Sequence, residues 1–373
     1  MFMGIRVLSV FGTRPEAIKM LPLVLAIGQD RRLENLVCVT AQHREMLDQV
    51  LDTFQVKPDY DLNLMMPRQT LTDITANVLR GMEGVLREAR PDIVLVHGDT
   101  TTSFAAALAA FYQKIPVGHV EAGLRTYDRY SPFPEEINRN LTSKLATLHF
   151  APTQLNVDNL AKENITQNIF ITGNTVIDAL FSIVHPDYAF REPALRQLSY
   201  EGMRTVLMTV HRRENLGGPM RNIFEATLEL VRRYPDVQVI YPMHKNPAVR
   251  EPALQLLGGH PRIHLIEPIG VDDMHNLFLK CYLIMTDSGG LQEEAPALGK
   301  PVLVLRTETE RPEAVAAGTV KVVGVRKENI LREAERLLED PAEYQRMSQA
   351  QNPYGDGHAS KRICDAIAAY FAP

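Results

Sequence analysis

Cysteine is scarce in this chain. It has three, Cys38, Cys281 and Cys364, far apart and odd in number. That does not fit a disulfide-stapled secreted fold, and buried free thiols in a reducing cytoplasm are expected. Long apolar runs are also lacking. No stretch of about 18 apolar residues occurs, so no membrane span is expected. The first residues, Met1 to Val7, run straight into a strand pattern without a signal-peptide layout, and a cytoplasmic location is expected. Nor is there a basic surplus: 40 Lys and Arg stand against 45 Asp and Glu, for a net charge of -5. General nucleic-acid binding leans on a basic surface and loses support. Walker A and GxGxxG patterns are missing, which weakens ATP and NAD as ligands. HExxH and CxxC are missing too, and the histidines lie on separate strand ends, so no metal site is expected.

What is present is the composition of a soluble globular protein, 45% hydrophobic and 23% charged, and 373 residues suffice for two ordinary domains. The organising stretch runs from Tyr282 to Ala295. An apolar strand pattern ends in Thr286-Asp287-Ser288, turns through Gly289 and Gly290, and enters a helix pattern carrying Glu294. A helix N-terminus leaves backbone N–H groups unpaired and suits a phosphate. Glu294 lies about one turn further, where a carboxylate can take ribose hydroxyls. The same residues read equally as a helix capped by Ser288.

Alternation of strand and helix patterns fills the rest. Ile5–Val10 leads to Gly12-Thr13-Arg14-Pro15-Glu16, with Pro15 suited to a first helical position and Lys19 one turn on. Ile93–Val96 closes on His97-Gly98-Asp99, where Asp99 reads either as a site acid or as a helix cap. Ile115–Val120 closes on Glu121, and Glu135 opens a helix that carries Arg139. Residues Pro58 to Gln69 look irregular. The second half restarts at Val206–Val210, closing on His211-Arg212-Arg213, and continues through His244-Lys245 and Glu310-Arg311. Two βα halves without a short repeat predict two doubly wound α/β domains, divided between about 173 and 203. Ligands of such sheets sit at strand carboxyl ends. Cations, histidines (His43, His211, His244) and the acids Asp99, Glu121, Glu135 and Glu294 collect there. That set suits an anionic ligand whose chemistry moves protons.

Phe11-Gly12-Thr13-Arg14-Pro15-Glu16, His97-Gly98-Asp99-Thr100-Thr101, Gly118-His119-Val120-Glu121-Ala122-Gly123-Leu124-Arg125, His211-Arg212-Arg213-Glu214, Asp287-Ser288-Gly289-Gly290 and Glu310-Arg311-Pro312-Glu313 follow in one order. In that order they resemble the bacterial non-hydrolysing UDP-N-acetylglucosamine 2-epimerases, over nearly the whole chain. The resemblance implies a GT-B arrangement: two Rossmann-like domains, 1–173 and a UDP-binding 174–357, facing across a cleft. A last helix, about 358–373, would pack back on the first. It implies a homodimer, no cofactor, and interconversion of UDP-N-acetylglucosamine with UDP-N-acetylmannosamine for cell-surface polysaccharide precursors. The implied route is anti elimination of UDP to 2-acetamidoglucal, followed by re-addition.

Carried over residue by residue, Asp99, Glu121 and Glu135 would do acid–base work and His211 would assist the leaving phosphate. Arg14, Lys19 and Arg139 would hold sugar and phosphate. Ser288, Gly289 and Gly290 would take the diphosphate, Glu294 the ribose and Arg311 the sugar side. An activating second UDP-N-acetylglucosamine would meet Gln42, His43, Arg68, Arg212 and His244, with Glu135 also matching. The chain departs from the pattern at Glu45, where some members have Gln. Ile269 and Met274 stand where Gln and an aromatic are frequent near uracil, and Val210 replaces a frequent Gly. Three rivals remain: a UDP-sugar glycosyltransferase of GT-B type, a hydrolysing epimerase releasing N-acetylmannosamine and UDP, and a silent nucleotide-sugar sensor.

Overall fold

The computed structural model describes residues 4–41, 44–64, 66 and 68–372, with the backbone alone at Glu45 and Met46. Contacts divide the chain into two compact units, Met1–Ser182 with Tyr354–Pro373, and Ile183–Pro353. The first unit alternates β1 (Ile5–Phe11), α1 (Arg14–Gln29), β2 (Leu33–Val39), α2 (Arg44–Phe54), β3 (Tyr60–Asp61), α3 (Leu71–Ala89), β4 (Ile93–His97), α4 (Thr101–Tyr112), β5 (Val117–Val120), α5 (Glu135–Leu145), β6 (Leu148–Ala151), α6 (Gln154–Lys162), β7 (Ile169–Ile171) and α7 (Thr175–Ile183). Its strands form a parallel sheet in the order β3-β2-β1-β4-β5-β6-β7. The stretch expected to be irregular, Pro58 to Gln69, contains β3, two residues that pair with Cys38 and Val39. So short a strand carries no alternation to read.

The second unit holds α8 (Pro193–Gln197), β8 (Arg204–Thr209), α9 (Gly218–Arg233), β9 (Val237–Pro242), α10 (Pro247–Leu257), β10 (Ile263–Ile266), α11 (Val271–Lys280), β11 (Cys281–Thr286), α12 (Gly289–Glu294), β12 (Val302–Val304), α13 (Pro312–Ala317), β13 (Val320–Val322), α14 (Lys327–Glu339) and α15 (Pro341–Ser348). Its parallel order is β10-β9-β8-β11-β12-β13. Both units are therefore doubly wound α/β folds, and the order reverses between β1 and β4 and between β8 and β11. Loops after those strands border the crevice where such sheets receive ligands.

Residues of β4, β5 and β6 are buried along their whole length, as expected of a parallel sheet covered on both faces. In α4 the small side chains Ala105, Ala106, Ala107, Ala109 and Ala110 let the helix lie close against Val94, Val96 and Met82. The second core gathers Met208, Ile223, Phe224 and Tyr241 between β8, β9 and α9. Val210 is buried there, and its carbonyl accepts the Tyr241 hydroxyl at 2.7 Å. Cys38, Cys281 and Cys364 are all buried and free. Among the described residues no helix is long and apolar enough to cross a membrane.

The chain returns to the first unit through Tyr354 and α16 (Ala359–Tyr370). Asp178 of α7 accepts the backbone N–H groups of Ala359 (3.1 Å) and Ser360 (2.8 Å), and Asn174 N–H donates to Tyr354 O (2.7 Å). Arg32 reaches Asp365 at 2.6 Å. These ties keep α7 with the first unit, so the division falls later than residue 173.

One backbone approach fixes the loop after β5. Gly123 has φ +92°, and a Cβ placed on it would lie 2.3 Å from the Asn156 carbonyl oxygen. Gly123→Ala should therefore cost about 2 kcal/mol or more of stability. The urea midpoint measures this, and an unchanged midpoint would mean that the Asn156 backbone gives way.

Candidate active site

The loop after β1 and the loop after β4 are joined by one buried carboxyl group. Glu16 Oε2 accepts from Gly12 N (3.1 Å), Thr13 N (2.8 Å) and Thr13 Oγ1 (2.8 Å). Its Oε1 accepts from Thr100 Oγ1 (2.6 Å) and Ser103 Oγ (2.9 Å). Thr100, not Asp99, caps α4, through a bond from Ser103 N. Asp99 is thereby released from the capping role that its position also suggested. Its Oδ2 accepts from Arg139 at 2.6 Å, and its backbone carbonyl from Asn138 at 3.0 Å.

Glu121 follows β5 with φ +63°, a left-handed conformation that is uncommon for a residue with a side chain. Such outliers tend to gather at working sites. Its side chain is 9% exposed and forms an ion pair with Lys19. Asn174 donates to Glu121 Oε2 at 2.9 Å. His97 Nε2 stands 3.7 Å from the same oxygen, buried and without a hydrogen-bond partner. Glu135 opens α5, close enough for its charge to bear on Asp99. The neighbouring Glu136 accepts the N–H groups of Thr126 (3.0 Å) and Tyr127 (2.9 Å) and also lies 3.6 Å from Arg139.

Lys19, Asp99, Glu121, Glu135 and Arg139 thus share one electrostatic neighbourhood. Burial pushes the Asp99 carboxyl up to about 6; Arg139 and Lys19 oppose the rise, while Glu121 and Glu135 add to it. An acid with that value changes protonation state near neutrality, as proton transfer requires. Arg14 is exposed at the first turn of α1.

In the second unit Asp287 plays the part of Glu16. Its Oδ2 accepts from His211 N (2.9 Å), Arg212 N (2.8 Å) and Asn215 Nδ2 (3.0 Å), tying the β8 loop to the end of β11. Ser288 precedes α12 but makes no side-chain cap bond. A Cβ placed on Gly289 would meet only Arg311 (Nη2 at 3.8 Å) and Arg212 (Nη2 at 3.9 Å) within 4 Å. Two guanidinium groups therefore flank this turn. Arg311 also pairs with Glu293, and its backbone N–H donates to Thr309 Oγ1 at 3.1 Å. Glu294 lies beside Gly290, its Oε1 3.3 Å from where a Cβ would be, and its Oε2 is 3.2 Å from His275 Nε2. The His211 ring stacks on His244 at 5.5 Å with 10° between planes. Burial pushes the His211 imidazole below its usual value, with Asp287 opposing and His244 and Arg212 adding.

Arg68, exposed with φ +61°, lies between β3 and α3. Gln42 and His43 lie outside the described residues. Ile269 and Met274 are half-buried around the start of α11. Among the described residues no three of His, Cys, Asp or Glu come together so as to hold a metal ion. Sequence reasoning singled out neither Asn174 nor His275. Asn174 carries no motif of its own and meets Glu121 only through the fold. His97, Glu16 and Asp287 lay inside the motifs, but their partners are not sequence neighbours.

The sheet rim behind the acids holds three buried histidines. His97, His119 and His149 sit on β4, β5 and β6, and desolvation lowers them to about 4, 3 and 4 from an ordinary 6.5. The unfolded chain binds these protons as pH falls below 6.5, and the folded chain does not until near 4, so this stabilisation is lost on acidification. Asp99 works the other way, retaining its proton when folded up to about 6 against 3.8 unfolded. Burial raises Asp178 as well, but three histidines outweigh two acids, so the urea midpoint should climb from pH 4 to 6.5. His149→Leu should reduce proton uptake on unfolding in that window by about one. A midpoint that drops over this range would contradict neutral buried histidines.

A family model described as UDP-N-acetylglucosamine 2-epimerase matches residues 25–368. The UDP-N-acetylglucosamine 2-epimerase of Bacillus subtilis is 57% identical over 368 residues, covering 98% of this chain and 96% of its own. A UDP-GlcNAc 2-epimerase from Neisseria meningitidis, solved bound to UDP-GlcNAc, superposes with TM-score 0.86 at 51% identity, covering 98% of this chain and all of that one. S. aureus MnaA, solved with UDP, gives TM-score 0.87 at 52% identity over 98% of this chain and 96% of its own. Motif order, strand order and these similarities agree: the chain belongs to the UDP-N-acetylglucosamine 2-epimerase family.

Proposed function

We propose that the protein interconverts UDP-N-acetylglucosamine and UDP-N-acetylmannosamine without net hydrolysis. The observation that carries this reading is the pairing of Asp99 and Glu121 at neighbouring strand ends, one poised near neutrality and the other held by Lys19 and Asn174. A sugar transferase needs no such equipment at C2. The C2 hydrogen is not next to a carbonyl, so cleavage of the C1–O bond leads. Its electron pair leaves with UDP, a carboxylate takes the C2 proton, and a C1=C2 double bond remains. Return of a proton to the other face of C2 and of the diphosphate oxygen to C1 gives the epimer. Asp99, Glu121 and Glu135 serve the proton; Lys19, Arg139 and Arg14 hold sugar and phosphate.

In the second unit, Arg212 and Arg311 beside Gly289, with Ser288, Gly290 and His211, take the diphosphate. Fixed positive charge aimed at a leaving phosphate can be worth about 3 kcal/mol in the transition state. Glu294 takes the ribose. The half-buried Met274 covers the uracil with its polarizable thioether. A second molecule of UDP-N-acetylglucosamine activates through Arg68, Arg212 and His244, and the working form is a cytoplasmic homodimer.

Turnover in deuterated water decides the reaction. Both sugar nucleotides should carry deuterium at C2, with no free N-acetylmannosamine. Retained protium would favour the transferase, and free sugar with UDP the hydrolysing enzyme. Asp99→Asn and Glu121→Gln should each lower turnover by about 100-fold or more, with UDP affinity within about threefold of wild type. Equal loss of UDP binding in both would refute the division of roles. Arg68→Ala should flatten activation by UDP-N-acetylglucosamine more than it weakens UDP binding.

A further inference from the structure

One polar atom at the second-unit turn is left without a partner. Asp287 is 0% exposed, and its Oδ2 is occupied by the three donors of the β8 loop. Its Oδ1 is equally buried and accepts no hydrogen bond. A buried carboxylate oxygen without a donor is costly, and such orphans call for a functional account. This one lies 3.5 Å from Nδ1 of His211. The imidazole is already held on one face by the stacked His244 ring, and its backbone is pinned by the other oxygen of the same carboxylate. A small rotation of the ring closes the remaining gap.

We propose that Asp287 is a positioning residue for His211: Oδ1 accepts the Nδ1 proton and so turns Nε2 toward the diphosphate. This rests on the reaction proposed above. As the C1–O bond breaks, its electron pair goes to the phosphate oxygen. The imidazolium gives its Nε2 proton to that oxygen and keeps Nδ1–H on Asp287. On re-addition Nε2 takes the proton back. Asp287 supplies the countercharge for the imidazolium and excludes the tautomer that would point a lone pair at the carboxylate. The same logic governs acid–imidazole pairs in hydrolytic triads, where the amide replacement costs about 10⁴ in turnover because the ring adopts the wrong tautomer.

Asp287→Asn separates this role from a structural one. Three donors converge on Oδ2, so the amide oxygen must occupy that place and the loop keeps its anchor. The amide NH2 then faces Nδ1, and the ring must answer with a lone pair. In ¹⁵N-labelled protein, neutral His211 should be the Nδ1–H tautomer in wild type and the Nε2–H tautomer in D287N. The variant's kcat should fall by about 100-fold or more, with KM within about threefold. An unchanged tautomer in D287N overturns the proposal, as does a parallel change in kcat and KM. If D287N does not fold, the wild-type spectrum decides, and an Nε2–H tautomer there overturns it. The tautomer is read without turnover. A flipped ring in a protein that fails to exchange C2 hydrogen would uphold the positioning and overturn the reaction.

Discussion

Each unit depends on a buried acid at the place where its strand order reverses. Two parallel strands part there, and the loops that follow have no ladder to hold them. In the first unit Glu16 gathers five hydrogen bonds from the β1 loop, from Thr100 and from Ser103 in the first turn of α4. In the second, Asp287 gathers three from the β8 loop on one oxygen. A carboxyl group suits this task because it accepts several donors in fixed directions and costs little only when they are all supplied. Removing either one would release the loops and leave their backbone N–H groups unpaired, so the sites are as rigid as these two side chains make them.

Asp99, whose side chain is 28% exposed, is a carboxyl group with fewer partners. Its side chain meets Arg139 and is surrounded by two further acids. Desolvation outweighs the guanidinium, and the carboxyl holds its proton up to about 6.

The order of strands and helices was legible because apolar runs, prolines at helix starts and glycines at turns are local signals. The strand-end acids were legible for the same reason. What could not be read is everything set by contacts across loops. Asp99 and Thr100 are adjacent, and only the Ser103 backbone and the Glu16 carboxyl decide which of them caps α4. Arg212 and Arg311 lie in loops far apart in sequence, yet both flank Gly289. Asn174 meets Glu121 because the chain turns back through Gly173, where the Tyr354 segment packs. The division between units, after Ser182, depends likewise on the returning C-terminal segment, whose residues anchor α7.

Burial, aided by the charges of two nearby acids, lifts the Asp99 carboxyl to about 6. Asp99, Glu121 and Glu135 face Lys19 and Arg139, and Arg139 also lies 3.6 Å from the buried Glu136. Lys19 is committed to Glu121, whose backbone is held in a left-handed conformation. Arg139 alone cannot offset both the desolvation of Asp99 and the charges of the other two acids. Protonating Asp99 relieves both the burial of its charge and its repulsion from Glu121 and Glu135. An acid so placed changes protonation state near neutral pH, which suits proton transfer. In the epimerisation proposed above, a proton is taken from one face of C2 and supplied to the other, and such an acid can serve either step.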